Sequence, residues 1–239
     1  MKKVKRLCLA VLLLGGAMTA EAQGNKIETT VEADIVSQYV WRGQDLGDPS
    51  LQPTLGIGYK GLTLSAWGSV GLTDPEDTKE LDITLAYSAG GFNVGVTDYW
   101  FNTGLDPRGR YFKYDAHGTN HLFEANIGYD FGPLALQWYT NFAGNDGVTK
   151  SGKRAYSSYF ELSAPFKLAS VDWTATLGAV PYATSFYERV DGFAVTNVSL
   201  TATKDIKITD SFSIPLFAQV AANPCSQKAY LVLGLKLRP

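Results

Sequence analysis

Apolar and polar residues alternate along most of this chain. Leu81, Ile83, Leu85 and Tyr87 share one face of a segment whose other face carries Glu80, Asp82, Thr84 and Ala86. The same period of two sets Val171, Trp173, Ala175 and Leu177 against Asp172, Thr174 and Thr176. It also sets Leu231, Leu233, Leu235 and Leu237 against Tyr230, Gly234 and Lys236. Period two is the signature of a strand with one apolar face. Twelve such segments are expected, near 28–40, 50–59, 62–70, 80–87, 92–99, 121–129, 134–142, 154–165, 170–180, 193–204, 212–222 and 228–238. Most have the roughly 9–11 residues that a tilted membrane strand needs.

The connections alternate long and short. Long gaps fall at 41–50, 71–79, 100–120, 143–153, 181–192 and 223–227, and short ones at 60–61, 88–91, 130–133, 166–169 and 205–211. An even number of antiparallel strands with short periplasmic turns and long outer loops is the pattern of an outer-membrane barrel. A soluble sandwich also alternates, so the aromatics discriminate. Tyr59, Tyr87, Tyr129, Phe92 and Phe212 fall at one set of strand ends, and Tyr39, Trp41, Trp100, Phe142, Tyr156 and Phe193 at the other. Two aromatic belts fit the two headgroup zones of a bilayer. Lys60-Gly61, Ser88-Ala89-Gly90-Gly91 and Asp130-Phe131-Gly132-Pro133 supply compact turns. Pro53 and Pro215 fall inside strands, where each removes a ladder donor. The expected fold is all-β: a transmembrane antiparallel barrel of about twelve strands.

The N-terminus reads differently. Basic residues to Arg6, an apolar run from Leu7 to Met18 and the Ala20-Glu21-Ala22 site are expected to form a signal peptide over 1–22, with a single barrel domain over 23–239. Its removal leaves Cys225 as the one cysteine, so no internal disulfide is possible. The whole chain has 21 basic and 23 acidic residues; losing Lys2, Lys3, Lys5, Arg6 and Glu21 leaves 17 and 22, a net of −5. That balance argues against nucleic acid as a partner.

Candidate chemistry lies on the inward face. Parity sends Glu32, Asp34, Gln38, Arg42, Gln52, Glu80, Asp82, Glu124, Asn126, Gln137, Glu161, Asp172, Asn197, Lys228 and Lys236 to the lumen. The candidate pore-lining residues are Asp34, Arg42, Glu80, Asp82, Glu124 and Glu161. Lumen carboxylates favour cations, while a satisfied network would plug the barrel. Arg42 ends the first segment in Tyr39-Val40-Trp41-Arg42-Gly43. It could form a constriction charge, or pair with Asp34 or a neighbouring acid and lock the first loop into the barrel mouth.

Other constellations are weaker. His117 and His121 lack a helix and a clear third ligand, so no metal is expected. Asp74, Glu76, Asp77 and Glu80 match no EF-hand spacing. There is no G-x-S-x-G to unite Ser157 or Ser158 with His121, which takes the outward parity. Gly56-Ile57-Gly58 precedes no helix and so is no nucleotide loop. Neither catalytic residues nor a cofactor are expected.

Ser37-Gln38-Tyr39-Val40-Trp41-Arg42-Gly43-Gln44, then Pro49-Ser50-Leu51-Gln52 and Ala66-Trp67-Gly68-Ser69, resemble the opening of the TorF-type porins. Glu80-Leu81-Asp82, Gly95-Val96-Thr97-Asp98-Tyr99-Trp100 and His121-Leu122-Phe123-Glu124 continue the likeness, which covers about residues 30–145. The resemblance implies an outer-membrane barrel with a pore role and brings no catalytic residues. One departure is the ending Leu237-Arg238-Pro239, where such barrels commonly finish in an aromatic. The expected function is passive diffusion of small hydrophilic solutes or ions, mildly cation-preferring, with outer-membrane lipid as surroundings. A closed barrel whose loops bind a partner or glycan is the alternative, supported by Trp100, Phe101, Tyr111, Phe112 and Tyr114; a membrane-embedded hydrolase comes third. The sequence sets no oligomeric state.

Overall fold

The computed structural model describes residues 26–239, apart from 75, 104, 105, 117, 189, 211 and 239. The expected signal peptide therefore lies outside the described residues. The strands are β1 (Glu28–Val36), β2 (Tyr39–Trp41), β3 (Gln44–Gly47), β4 (Ser50–Tyr59), β5 (Leu62–Gly71), β6 (Glu80–Ala89) and β7 (Phe92–Phe101). They continue as β8 (His121–Asp130), β9 (Ala135–Gly144), β10 (Ser158–Leu168), β11 (Val171–Val180), β12 (Ala194–Lys207), β13 (Ser213–Asn223) and β14 (Lys228–Leu237). Twelve of them close an antiparallel barrel in which β1 pairs with both β4 and β14, while β2 and β3 form a separate hairpin. The seam runs from Ala33↔Leu237 to Val36↔Gly234, so every barrel strand has two neighbours and none is an edge strand.

Local chemistry explains the short turns. Lys60 and Gly61 (φ 51° and 83°), Gly90 and Gly91 (57° and 87°), and Ala169 and Ser170 (51° and 61°) are all left-handed. Two consecutive positive φ values match the right-handed strand twist of a hairpin. Both strand prolines are accommodated. Pro53 pairs with Ala33 on β1, and the β4–β5 ladder skips from Leu51↔Val70 to Thr54↔Trp67. Pro215 pairs with Asp205, and the β13–β14 ladder starts one residue later at Leu216↔Leu235.

The outward face is apolar all round: Val31, Leu55, Ile57, Leu64, Leu85, Val96, Ile127, Leu200, Val220, Leu231 and Leu233 are all exposed. Tyr59, Tyr87, Phe92, Tyr129 and Phe212 are exposed at the short-turn end, and Phe142, Tyr156 and Phe193 at the long-loop end. The buried hydrophobic cluster lies inside the barrel instead.

Two expectations are corrected. The first strand ends at Val36, and the gap expected as an outer loop over 41–50 contains a hairpin folded into the barrel. Tyr39 and Trp41 consequently leave the rim belt: they are 3% and 6% exposed and belong to the interior cluster. β10 also begins later than expected, at Ser158, because Tyr156 adopts a left-handed φ of 50° just before it.

Candidate functional site: a hairpin plug in a polar barrel

The plug begins where β1 stops. Ser37 N–H donates to Leu233 O (2.8 Å), and the Ser37 Oγ accepts from Leu233 N–H (2.9 Å), fixing the exit on β14. The chain then reverses through Tyr39–Trp41 and Gln44–Gly47. Arg42 and Gly43 form the tip, with φ of 50° and 78°, the paired left-handed residues of a two-residue hairpin turn. Gly43 is required twice over. Its φ disfavours a side chain, and a Cβ there would overlap the Thr196 carbonyl on β12. Asn223 Nδ2 donates to the Gly43 carbonyl at 3.0 Å. At the base, Asp48 N–H donates to Asp77 Oδ2 (3.0 Å) and Leu72 N–H to Pro49 O (2.7 Å).

Arg42 crosses the lumen to β8. Its Nη1 and Nη2 donate to Glu124 Oε2 and Oε1 at 2.6 and 2.9 Å, a bidentate fork. Nη1 also donates to Tyr187 Oη at 2.7 Å, and Tyr99 Oη donates to Glu124 Oε1 at 2.9 Å. The guanidinium lies 4.3, 4.0 and 4.7 Å from the ring centres of Trp41, Tyr139 and Tyr159, so cation–π attraction adds to the ion pair. Both side chains are buried, at 7% and 3% exposure. Removing both charges from water offsets most of the attraction, so the pair is a poor source of net stability; breaking it strands a buried charge.

The flanking contacts seal the seat. Tyr39 Oη donates to Glu80 Oε2 at 2.8 Å. Tyr159 Oη donates to Glu161 Oε2 (3.1 Å) and accepts from Asn197 Nδ2 (3.3 Å). Tyr187 and Val190, from the 181–193 connection, complete the cluster, with Tyr187 stacked on Trp41 and Tyr159.

All six candidate lumen residues are found here. Glu124 holds Arg42; Glu80, Asp82 and Glu161 are buried within the sealed half; Asp34 stands in the wall beside the hairpin with Lys236 Nζ at 3.5 Å. Arg42 belongs to the hairpin tip rather than to β1, and its partner is Glu124, not Asp34. Nearer the short-turn end the lumen stays polar: Thr63, Ser65, Thr84, Thr97, Asn126 and Gln137 face inward and remain partly exposed. Gln38 is half-buried on the approach to the hairpin, where its Nε2 donates to Asp45. The tyrosines Tyr99, Tyr139, Tyr159 and Tyr187 were missed by sequence reasoning. The first three carry a signal, inward parity, with Tyr99 and Tyr159 near long-loop strand ends and Tyr139 mid-strand; Tyr187 carries none.

A second arrangement sits on the outer wall. Asp98 and His121 share the outward face of β7 and β8, and Nδ1 of His121 lies 2.8 Å from Asp98 Oδ1. Nε2 meets the Tyr111 carbonyl, and Tyr114 stacks on the ring at 3.9 Å. The 106–120 segment thereby covers His121 completely. Arg110 donates to Asp106 at 2.9 Å and holds that carboxyl below the usual carboxylate range. His117 lies outside the described residues. Ser157 and Ser158 bond to Thr184 and to Tyr182 and Thr140, not to His121. In the acidic loop, Asp74 and Asp77 bond to backbone N–H groups, while Glu80 turns into the barrel. Among the described residues no group of three or more His, Cys, Asp or Glu is arranged to hold a metal.

Residues 19–221 match the family described as "Bacterial protein of unknown function (Gcw_chp)", and the chain belongs to that family. The likeness to TorF-type porins rests on the motifs quoted above. No curated protein matches the sequence. One similar solved structure is described as "Unveiling the Mechanism Behind the in-meso Crystallization of Membrane Proteins". It shares 8% identity over 88% of this chain and 83% of that one, with a TM-score of 0.45, too distant to carry an argument.

Proposed function

We propose that this Gcw_chp protein is an exported outer-membrane barrel of porin type, gated by its own hairpin. The apolar outer sleeve with aromatics at both ends supports residence in a bilayer. In this reading the short-turn half of the lumen is a polar vestibule open to the periplasm. The hairpin closes the outer half, and small hydrophilic solutes or ions pass when it leaves its seat. With Arg42 withdrawn, Glu80, Asp82, Glu124 and Glu161 line the opened path and favour cations. The observation that carries the reading is the Arg42–Glu124 fork, a charged latch at the tip of a loop folded into a polar tube. The protein acts as a conduit and not a catalyst, a reading supported by both His121 nitrogens being engaged by Asp98 and Tyr111.

The test is single-channel recording of the mature chain in a planar bilayer under a salt gradient, beside a variant with residues 38–48 replaced by a Gly-Ser linker. Long closures in the parent, with sustained cation-selective steps in the variant, support the proposal. A silent excised variant that still shows heat-modifiable gel migration sinks the pore. Location is tested through Cys225, a free, exposed thiol in the β13–β14 connection. A membrane-impermeant maleimide should label it on intact cells, and exclusive labelling after outer-membrane disruption would reverse the orientation.

A second reading keeps the barrel permanently shut and assigns binding of a partner or glycan to the outer loops. Phe112, 89% exposed beside Tyr111 and Tyr114, favours it. Deleting 103–117 would then abolish binding to cells or glycans.

A further inference from the structure

The barrel seam is short. β14 faces β13 through eight residue pairs, from Leu216↔Leu235 to Asn223↔Lys228. It faces β1 through four, from Ala33↔Leu237 to Val36↔Gly234. One further contact, between Ser37 and Leu233, ends that ladder. Beyond it, residues 228–232 pair with no strand on the β1 side among the described residues. Leu233 turns both its N–H and its carbonyl toward Ser37, so the N–H and carbonyl of Leu231 and Ala229, two and four residues back, point the same way. Leu231 lies opposite Val220 on its other side, and both side chains are exposed on the apolar outer face. In the membrane reading this edge lies at bilayer depth, where unpaired backbone groups are costly. Such an edge is a template for another strand.

The hairpin supplies the strand that fits. Val36 faces Ser50, and three residues on, Tyr39 faces Gly47, three residues before Ser50. The β2–β3 hairpin thus keeps the β1–β4 register across the bend at 37–38. Between 36 and 50 only Arg42 and Gly43 are left-handed, both at the tip, so no residue at the bend blocks a straight form. Straightening would carry the seam on from Val36↔Gly234 to Tyr39 opposite Leu231 and Trp41 opposite Ala229. The side chains agree with that placement. The alternation of β1 would run unbroken to the tip, with Gln38 and Val40 turned to the lumen and Tyr39 and Trp41 turned outward among the rim aromatics.

We propose that the free edge of β14 is the docking site of β2: out of its seat, the hairpin stands upright in the wall and pairs with residues 229–231. This rests on the gate proposed above and says where the plug goes. Each position satisfies what the other leaves open. The seated hairpin pairs Arg42 with Glu124 and leaves the edge bare; the upright hairpin covers the edge and hydrates the charges. One continuous alternating sequence serves both, as wall strand and as plug.

The test is a disulfide trap in the full mature chain, refolded into a planar bilayer. Trp41→Cys and Ala229→Cys are combined with Cys225→Ser. In the seated form the two positions face opposite sides of the wall, since Trp41 packs inside on Tyr99 and Tyr187 and Ala229 is exposed outside. In the upright form they are directly opposite. Mild oxidation should form the intramolecular disulfide and hold the conducting level until a reductant is added, and Arg42→Ala should speed the trapping at least about 10²-fold. Tyr39→Cys with Leu231→Cys tests the same register if the first pair does not fold. Leu231→Pro removes a donor that the seated form does not use, so it should keep heat-modifiable migration and shorten open dwells about tenfold. Folded cysteine pairs that form no disulfide even with Arg42→Ala, or unchanged open dwells in Leu231→Pro, would overturn the docking. If the Gly-Ser linker variant still conducts, the gate survives that failure. A disulfide that forms in a silent bilayer would uphold the docking and sink the pore instead.

Discussion

Replacing Arg42 by Ala should unseat the hairpin. The substitution removes two bonds to Glu124, at 2.6 and 2.9 Å, one to Tyr187 at 2.7 Å, and contacts with three aromatic faces. It leaves Glu124 buried with Tyr99 as its remaining donor. Breaking a buried pair from one side costs about 3–5 kcal/mol, which shifts a two-state equilibrium by roughly 10²- to 10⁴-fold. A hairpin out of its seat for about one part in ten thousand would then be out for roughly 1% to 50% of the time. The assay is open probability in a planar bilayer, read beside protease cleavage within 37–49. Glu124→Gln should move both in the same direction by a smaller amount, since one bond survives. Arg42→Met with Glu124→Met should return the barrel to closure, because an apolar pair of similar volume leaves no stranded charge. The reasoning is refuted if Arg42→Ala folds, stays closed and keeps 37–49 resistant to protease.

Further outcomes test separate parts. Gly43→Ala should mimic Arg42→Ala in open probability, because the added Cβ meets the Thr196 carbonyl and the left-handed φ is strained. Tyr39→Phe removes the donor to buried Glu80 and should cost about 1–3 kcal/mol in denaturant midpoint without opening the lumen fully. His121→Ala breaks a bond to a charged group worth about 1.5–3 kcal/mol. It should expose 106–120 to protease while conductance and heat-modifiable migration stay as in the parent. Asp106, held below its ordinary value by Arg110, contributes stability that is fully present above the unfolded carboxylate value of about 3.9. That stability is lost as pH falls through the depressed folded value. Pepsin sensitivity of 102–120 should therefore rise only below about pH 4, and Arg110→Gln should raise that threshold.

The barrel was legible because it is written in period two and in turn chemistry, both local. Leu81 to Tyr87 and Leu231 to Leu237 each declare a face unaided, and Lys60-Gly61 declares its own reversal. The plug was not legible from the same signal. Tyr39-Val40-Trp41 continues the alternation of β1, so the first strand read as running through to residue 40. The break lies at Ser37, whose backbone and hydroxyl bond to Leu233, 196 positions away. A local signal did exist: Arg42-Gly43 between short alternating arms is a hairpin turn, overlooked because it fell at a strand end. Strand parity does not carry past that break: Arg42 reaches inward because the hairpin folds into the lumen, and its choice among several inward acids was a matter of three-dimensional reach. That reach ended at Glu124, 82 positions on.

The choice of a charged latch over an apolar one has a mechanistic consequence. Leucine at the hairpin tip would fill the same space at a lower desolvation cost, and its hold would fade gradually as the tip slid along the wall. The Arg42–Glu124 fork behaves otherwise, because its attraction depends on a dry seat. Trp41, Tyr139, Tyr159 and Tyr187 exclude water from it, and a slight withdrawal admits water, weakens the fork and hydrates both charges at once. Intermediate positions, with the charges separated but still dry, are the costly ones. The hairpin therefore has two favourable places, seated or hydrated, with a barrier between them. In a recording this predicts abrupt two-level transitions whose closed times shorten as salt is raised, since screening acts on the hydrated charges and not on the buried pair. A graded, multi-level conductance in the parent that Arg42→Ala leaves unchanged would show instead that the hairpin moves as a soft constriction and that the fork is only one contact among many.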